Sequence, residues 1–307
     1  MISKRRIWVV VPAYEEALLI GKMLRSLPAS VDGVLVVDDA STDETAAEVL
    51  RVAELAHQPQ ELRPTIHLLR HAQNRGVGAA ITTGYEAFLS KEPDARAVCV
   101  VMGGDNQMDP CDLDALVGAI DAGADYAKGN RFSAGEARHS MPRVRWFGNV
   151  TLTLLTRWAT GLWTVTDSQC GYAAISRTAL ERLRLPELYA RYGFPNDMLL
   201  QLAARGMRVV DVPVRAIYAG ERSKIRLPRV APRILLMLLL GWVDRQRCSG
   251  GPGLLLLLLA LVSVLAFTSA FLMDSAGDAC LLAGAAGLAS LLAASYRESH
   301  APCASSR

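Results

Sequence analysis

None of the six cysteines (Cys99, Cys111, Cys170, Cys248, Cys280, Cys303) forms a C-x-x-C pair or falls at metal-ligand spacing. Free thiols in a reducing compartment are the plain reading. A signal peptide is also missing. Lys4, Arg5 and Arg6 are followed at once by Ile7 to Val11, too short for an apolar h-region, and then by Pro12 and acidic residues. The bulk of the chain is therefore expected to stay in the cytoplasm. Aromatic residues are scarce at 6%, and no basic segment is interleaved with them or carries a recognition motif, which excludes nucleic acid as a partner. The N-terminal two thirds contain neither an internal repeat nor a low-complexity linker, which leaves no sign of a solenoid array.

Apolar residues are abundant instead, at 51% of 307, and they concentrate near the C-terminus. Leu254 to Met273 is a run of twenty residues without a charge. At roughly 1.5 Å per residue it is long enough to cross a bilayer core of about 30 Å. Asp274 to Asp278 form a polar break, and Ala279 to Ser295 form a second, shorter apolar stretch. The pair reads as a transmembrane hairpin, spans 254–273 and 279–295, with a buried helix pair as the alternative. Arg245 and Arg247 precede it, Arg297 follows it, and Asp274 and Asp278 lie between. The positive-inside rule puts both flanks in the cytoplasm. Net charge is only +3, yet Ala204 to Arg247 holds ten Lys/Arg against three Asp/Glu. A basic stretch beside a span suits anionic headgroups or a lipid phosphate.

The rest of the chain alternates strand-like and helix-like segments. Ile7 to Val11, Gly33 to Val37, Thr65 to Leu69 and Ala97 to Met102 read as buried strands. Glu15 to Leu27 and Gly78 to Leu89 read as helices, and Ser41 or Thr42 is placed to cap another, with Asp43 and Glu44 in its first turn. This rhythm predicts an α/β fold with a mainly parallel sheet covered on both faces. Ligands of such sheets bind beyond the C-terminal strand ends. Three acidic clusters follow strands there: Tyr14-Glu15-Glu16, Asp38-Asp39 and Asp105-Asn106-Gln107. Carboxylates gathered on one rim need a cation or a donor-rich ligand to offset them.

The blocks VVVPAYEE, VVDDASTDET, NRGVGAA and VVMGGDNQMDP, in that order, resemble the family 2 glycosyltransferases of GT-A fold. NRF, DSQCGY and GERSKIR narrow the resemblance to the branch containing dolichol-phosphate mannosyltransferase and its bacterial relatives. It covers roughly residues 7 to 230, and the joint occurrence of its blocks is more specific than any one of them. The resemblance implies that Pro12, Tyr14, Glu16, Asp38 and Asp39 hold the nucleoside, with Asn74 and Gly76 in a loop beside the donor. Asp105 is implied as the metal residue, for Mg²⁺ or Mn²⁺, helped by Gln107. Such enzymes usually carry Asp-x-Asp here, whereas this chain reads Gly103-Gly104-Asp105, so a thinner metal site is expected. Arg131 is implied on a phosphate; Asp167, Gln169, Arg222, Ser223 and Lys224 on the phosphates or the acceptor; and Asp197 near the acceptor, with Asp105, Asp197 and Arg131 as the catalytic set. Taken without the family, Asp38-Asp39 also reads as turn plus cap, and the 222–226 loop as a juxtamembrane basic face. The segments Gly148 to Trp163 and Ile234 to Val243 suit interfacial helices or core helices equally.

The organisation expected is a catalytic domain over 1–230, a juxtamembrane segment over 231–250, two spans within 251–297 and a cytoplasmic tail over 298–307. The activity implied is inverting transfer of one sugar from a GDP- or UDP-linked donor to a polyprenyl phosphate. Alternatives are another lipid or lipid-linked acceptor, or a catalytically silent nucleotide-binding membrane protein. The Gln-x-x-Arg-Trp motif of processive synthases is absent, since Arg157-Trp158 is preceded by Leu154, which favours single transfer.

Overall fold

The computed structural model describes residues 5–56, 64–133, 143–215, 217 and 227–249. Among these residues seven strands build one sheet: β1 (Ile7–Ala13), β2 (Gly33–Asp38), β3 (Thr65–Arg70), β4 (Val98–Val101), β5 (Tyr126–Asn130), β6 (Ala173–Ser176) and β7 (Val209–Pro213). Their spatial order is β3-β2-β1-β4-β6-β5-β7. β1 to β4 run parallel in register, whereas β6 lies antiparallel to both β4 and β5. The sheet is therefore mixed and mostly parallel.

Alternation along β1 shows why both faces are covered. Val9 and Val11 point into a core shared with α1 (Ile20–Ser26), α2 (Thr45–Ala56) and α4 (Leu113–Asp121). Trp8 and Val10 point into the opposite core, against α3 (Val77–Lys91), α6 (Arg177–Glu181) and α7 (Phe194–Ala204). A third cluster joins α5 (Arg143–Thr160) to α8 (Leu227–Ser249), where Trp158 stacks on Trp242 with ring centroids 4.6 Å apart.

The seat of α3 on β1 depends on Gly84. A Cβ there would lie 2.3 Å from Val10 Cγ1, and Val10 has no room to retreat because it is wholly buried. Gly84→Ala is expected to destabilise the fold by about 1–3 kcal/mol, the usual cost of overpacking. Thermal unfolding of the purified variant checks this; an unchanged midpoint would mean that α3 sits loosely.

The first helix starts later than the sequence predicts. Glu15 takes φ of 56°, and the residues after it are tied to the β2 loop instead of winding into a helix. Ser41 Oγ accepts from Glu15 N at 2.9 Å, Thr45 Oγ1 from Glu16 N at 2.8 Å, and Asp43 from Ala17 N at 3.2 Å. Thr42 Oγ1 donates to Glu15 Oε1 at 2.7 Å. Ser41 and Thr42 thus join two loops, and it is Asp43 that accepts from the first amide of α2, Thr45 N, at 3.0 Å. Among the described residues no helix is long and apolar enough to cross a membrane. Both expected spans, 254–273 and 279–295, lie outside the described residues.

Candidate active site

The C-terminal ends of β1, β2 and β4 lie side by side, so the loops that follow them share one rim. They frame a cleft of about 610 Å³. Of the residues singled out from the sequence, Pro12, Tyr14, Glu16, Asp39, Asn74, Gly76, Asp105 and Gln107 all line it. Arg191 and Tyr192 line it too, and sequence reasoning passed them over.

Asp39 is the organiser of this rim. It is only 3% exposed, and its carboxylate accepts from the amides of Arg75 and Gly76 at 2.8 and 2.7 Å. His71 Nδ1 lies 2.7 Å from Asp39 Oδ1, and its Nε2 lies 3.0 Å from Thr83 Oγ1. Asn74 adds a bond to the Asp39 carbonyl at 3.3 Å. The loop before α3 is therefore fastened to the end of β2 by one carboxylate. Gly76 is required where the loop enters the helix: its φ is +100°, and a Cβ would lie 2.6 Å from the Ala190 carbonyl. Asp38 faces elsewhere. It is fully buried, outside the lining of the cleft, and accepts from Ser41 N at 2.9 Å and Arg70 Nε at 3.0 Å.

At the end of β4, Asp105 Oδ1 accepts from Gln107 N at 3.1 Å, across Asn106 at φ of 57°. A Cβ on Gly103 would come within 3.0 Å of Asp105 Oδ1. The carboxylate thus leans toward the position where a first acidic residue would stand. No group of three His, Cys, Asp or Glu suited to a metal occurs among the described residues. The donor set, one carboxylate and one amide oxygen, fits a divalent cation such as Mg²⁺ only in company with phosphate oxygens and water.

A family model, described as glycosyl transferase family 2, matches residues 8–184. The chain belongs to glycosyltransferase family 2. The polyprenol monophosphomannose synthase of Mycolicibacterium smegmatis is 30% identical over 68% of this chain and 77% of its own. The UDP-N-acetylglucosamine–dolichyl-phosphate N-acetylglucosaminyltransferase of Methanococcus voltae is 27% identical over 71% of this chain and 88% of its own. Among solved structures, the glucosyl-3-phosphoglycerate synthase of Mycobacterium tuberculosis, bound to Mn²⁺, UDP and glucosyl-3-phosphoglycerate, superposes with a TM-score of 0.57. That likeness covers 78% of this chain and 80% of the synthase at 20% identity, and it concerns the fold alone.

Several residues singled out in this glycosyltransferase lie away from the cleft lining. Arg131, just after β5, meets Asp167 through two bonds, Nε to Oδ2 at 2.7 Å and an Nη to Oδ1 at 2.9 Å. Asp167 is fully buried. Burial alone would raise its pKa, but the hydrogen bonds and charge of Arg131, with Lys128 nearby, hold it below the usual carboxylate value. Lys128 is itself fully buried and donates to the Cys170 carbonyl at 2.6 Å; desolvation lowers its pKa. Gln169 donates to Asn196 Oδ1 at 3.1 Å, and Asn196 donates to Thr156 Oγ1 at 2.7 Å, which ties the 167–171 segment to α7 and α5. Asp197, in the first turn of α7, accepts from Tyr189 N at 2.8 Å. Burial raises its pKa, partly offset by that amide. Arg222, Ser223 and Lys224 lie outside the described residues.

Proposed function

We propose that this glycosyltransferase moves a single sugar, with inversion, from a GDP- or UDP-linked donor to a polyprenyl phosphate at the cytoplasmic face of a membrane. One coincidence carries the reading: a carboxylate-rimmed cleft at the strand ends and an exposed leucine face occur on the same chain. The inner side of α8 buries Ile234, Leu238 and Trp242, while Leu235, Leu236, Leu239 and Leu240 on its outer side are 38–57% exposed. Leu154 of α5 is 50% exposed as well. Apolar surface of this kind, leading toward the apolar segment 254–273, suits a catalytic domain lying on a bilayer. The names of the relatives, which specify polyprenol and dolichyl phosphate, support the same acceptor class.

In this reading Pro12, Tyr14, Glu16 and Asp39 surround the nucleoside, and carboxylates accept from ribose hydroxyls. Asp105 and Gln107 hold a divalent cation, which supplies charge neutralisation to the donor diphosphate when bound. The acceptor phosphate is ionised near pH 7, so one of its oxygens attacks the anomeric carbon without a base. The bond to the diphosphate oxygen breaks as the new one forms, and the diphosphate leaves with the electron pair. Arg222 and Lys224 are assigned to the phosphates, and the two apolar stretches to a membrane hairpin. Nucleotide binding without turnover is the second reading, favoured by the glycine at 103.

Membranes bearing the protein, incubated with radiolabelled nucleotide sugars and added polyprenyl phosphate, with and without EDTA, test this directly. Chelator-sensitive label from one donor in the lipid phase is expected. Nucleotide binding without label from any donor would point to another acceptor or to the silent binder.

A further inference from the structure

We propose that Arg191 contacts the donor diphosphate and that Asp197 is a positioning residue for it, holding the loop that carries the arginine. The inference rests on the nucleotide-sugar reading and adds a residue that no motif marks. Among the described residues lining the cleft, Glu16, Asp39 and Asp105 are acidic and Arg191 is the only cation. Its guanidinium has no hydrogen bond or ion pair among the described residues, so its donors are available to a ligand. A diphosphate entering a cleft with three carboxylates needs positive charge, and a planar guanidinium binds phosphate oxygens in pairs. With one carboxylate at the end of β4 to hold a cation, a fixed side-chain charge has more of the diphosphate left to neutralise.

An exposed arginine on a surface loop is ordinarily just solvated. Here its stem is placed. A Cβ on Gly76 would lie 2.7 Å from Arg191 Cγ, so the aliphatic stem rests against bare backbone at the start of α3. The next contacts fix the same loop. Ala79 N donates to the Ala190 carbonyl at 2.9 Å, and Phe194 N to the Arg191 carbonyl at 3.0 Å. A Cβ on Gly78 would meet the Tyr189 carbonyl at 2.1 Å. Two glycines of the NRGVG block thus let the 189–191 backbone approach the helix closely.

Asp197 closes the other side. Its Oδ2 accepts from Tyr189 N at 2.8 Å, and its own amide donates to the Gly193 carbonyl at 3.1 Å. It does not line the cleft. Its carboxylate is therefore engaged with the loop.

The test uses the full chain and compares Arg191→Ala, Arg191→Lys, Asp197→Ala and Asp197→Asn. Dissociation constants for UDP, GDP, uridine and guanosine are read beside KM and kcat for the active donor. Loss of a charge-assisted contact predicts about 10- to 100-fold weaker diphosphate binding by Arg191→Ala, with nucleoside binding changed less than about twofold on the same reasoning. Arg191→Lys is expected to fall between. Asp197→Ala should raise KM by about tenfold with a smaller change in kcat, on the scale of one lost hydrogen bond to a charged group. Asp197→Asn, whose side-chain oxygen still accepts from Tyr189 N, should restore it. Diphosphate binding by Arg191→Ala as tight as wild type overturns the assignment. So does an Asp197→Asn variant that loses kcat at unchanged KM, the mark of a group acting on the reaction itself. Wild type binding neither diphosphate would instead remove the nucleotide reading, and this inference with it.

Discussion

Asp105→Asn is expected to lower turnover at least ~100-fold, the usual scale for removing a group that stabilises developing charge. Asn keeps the shape of the side chain, and its oxygen can still accept from Gln107 N, which donates at 3.1 Å in the wild type. The strand-end turn should therefore survive, and the melting temperature should change little. What disappears is the anionic ligand. Among the described residues no cluster of three acidic, His or Cys groups stands ready to replace it, and Gly103 offers no side chain. Transfer of label into lipid, measured across a Mn²⁺ titration, separates the two ways of failing. A variant that recovers at high metal has lost affinity; one that stays low has lost the geometry of the bound complex. Activity near wild type at ordinary metal would sink the assignment of Asp105 as the metal residue.

The parallel half of the sheet was legible because β1, β2 and β4 are continuous apolar runs, as fully buried strands must be. β5 and β6 were not. Tyr126–Asn130 carries Lys128 and Gly129 in its middle, and Ala173–Ser176 has only four residues, so neither shows a strand pattern of its own. Their places come from pairing: Lys128 is tolerated because its ammonium finds the Cys170 carbonyl. The site divides the same way. Residues that follow strands converge because the strands are parallel, so Tyr14, Asp39 and Asp105 share a rim. Which way a carboxylate turns is decided by donors far along the chain, such as the Gly76 amide for Asp39 and the Tyr189 amide for Asp197. Spacing carries no trace of those. Arg191 reaches the cleft only because Gly76 and Gly78 leave room for its loop, and a lone Arg-Tyr ahead of a helix carries no signature.

Asp167→Ala is expected to cost about 3–5 kcal/mol of stability, the range for removing one partner of a buried ion pair. The reason lies in what stays behind. Arg131, with a side chain 13% exposed, cannot shed its proton, and Lys128 beside it is fully buried. Two basic side chains would then be left in that pocket, with Asp211, whose carboxylate is held by Thr166, as the remaining acidic neighbour of Lys128 among the described residues. Arg131→Met should cost less, because a stranded Asp167 can protonate and still accept from the amides of Arg131 and Gln169, both at 3.2 Å. That asymmetry, read from denaturant unfolding, distinguishes a charge effect from lost packing, which would make the larger arginine side chain the costlier loss. The pH dependence gives a second reading. Asp167 titrates lower in the folded protein than in the unfolded chain. Its contribution is therefore complete above the unfolded value near 3.9, and is lost as pH falls through the folded one. Wild type should lose stability below about pH 4 more steeply than Asp167→Ala, which has no such proton to gain. Equal slopes for the two proteins would show that the pair contributes nothing through its charge.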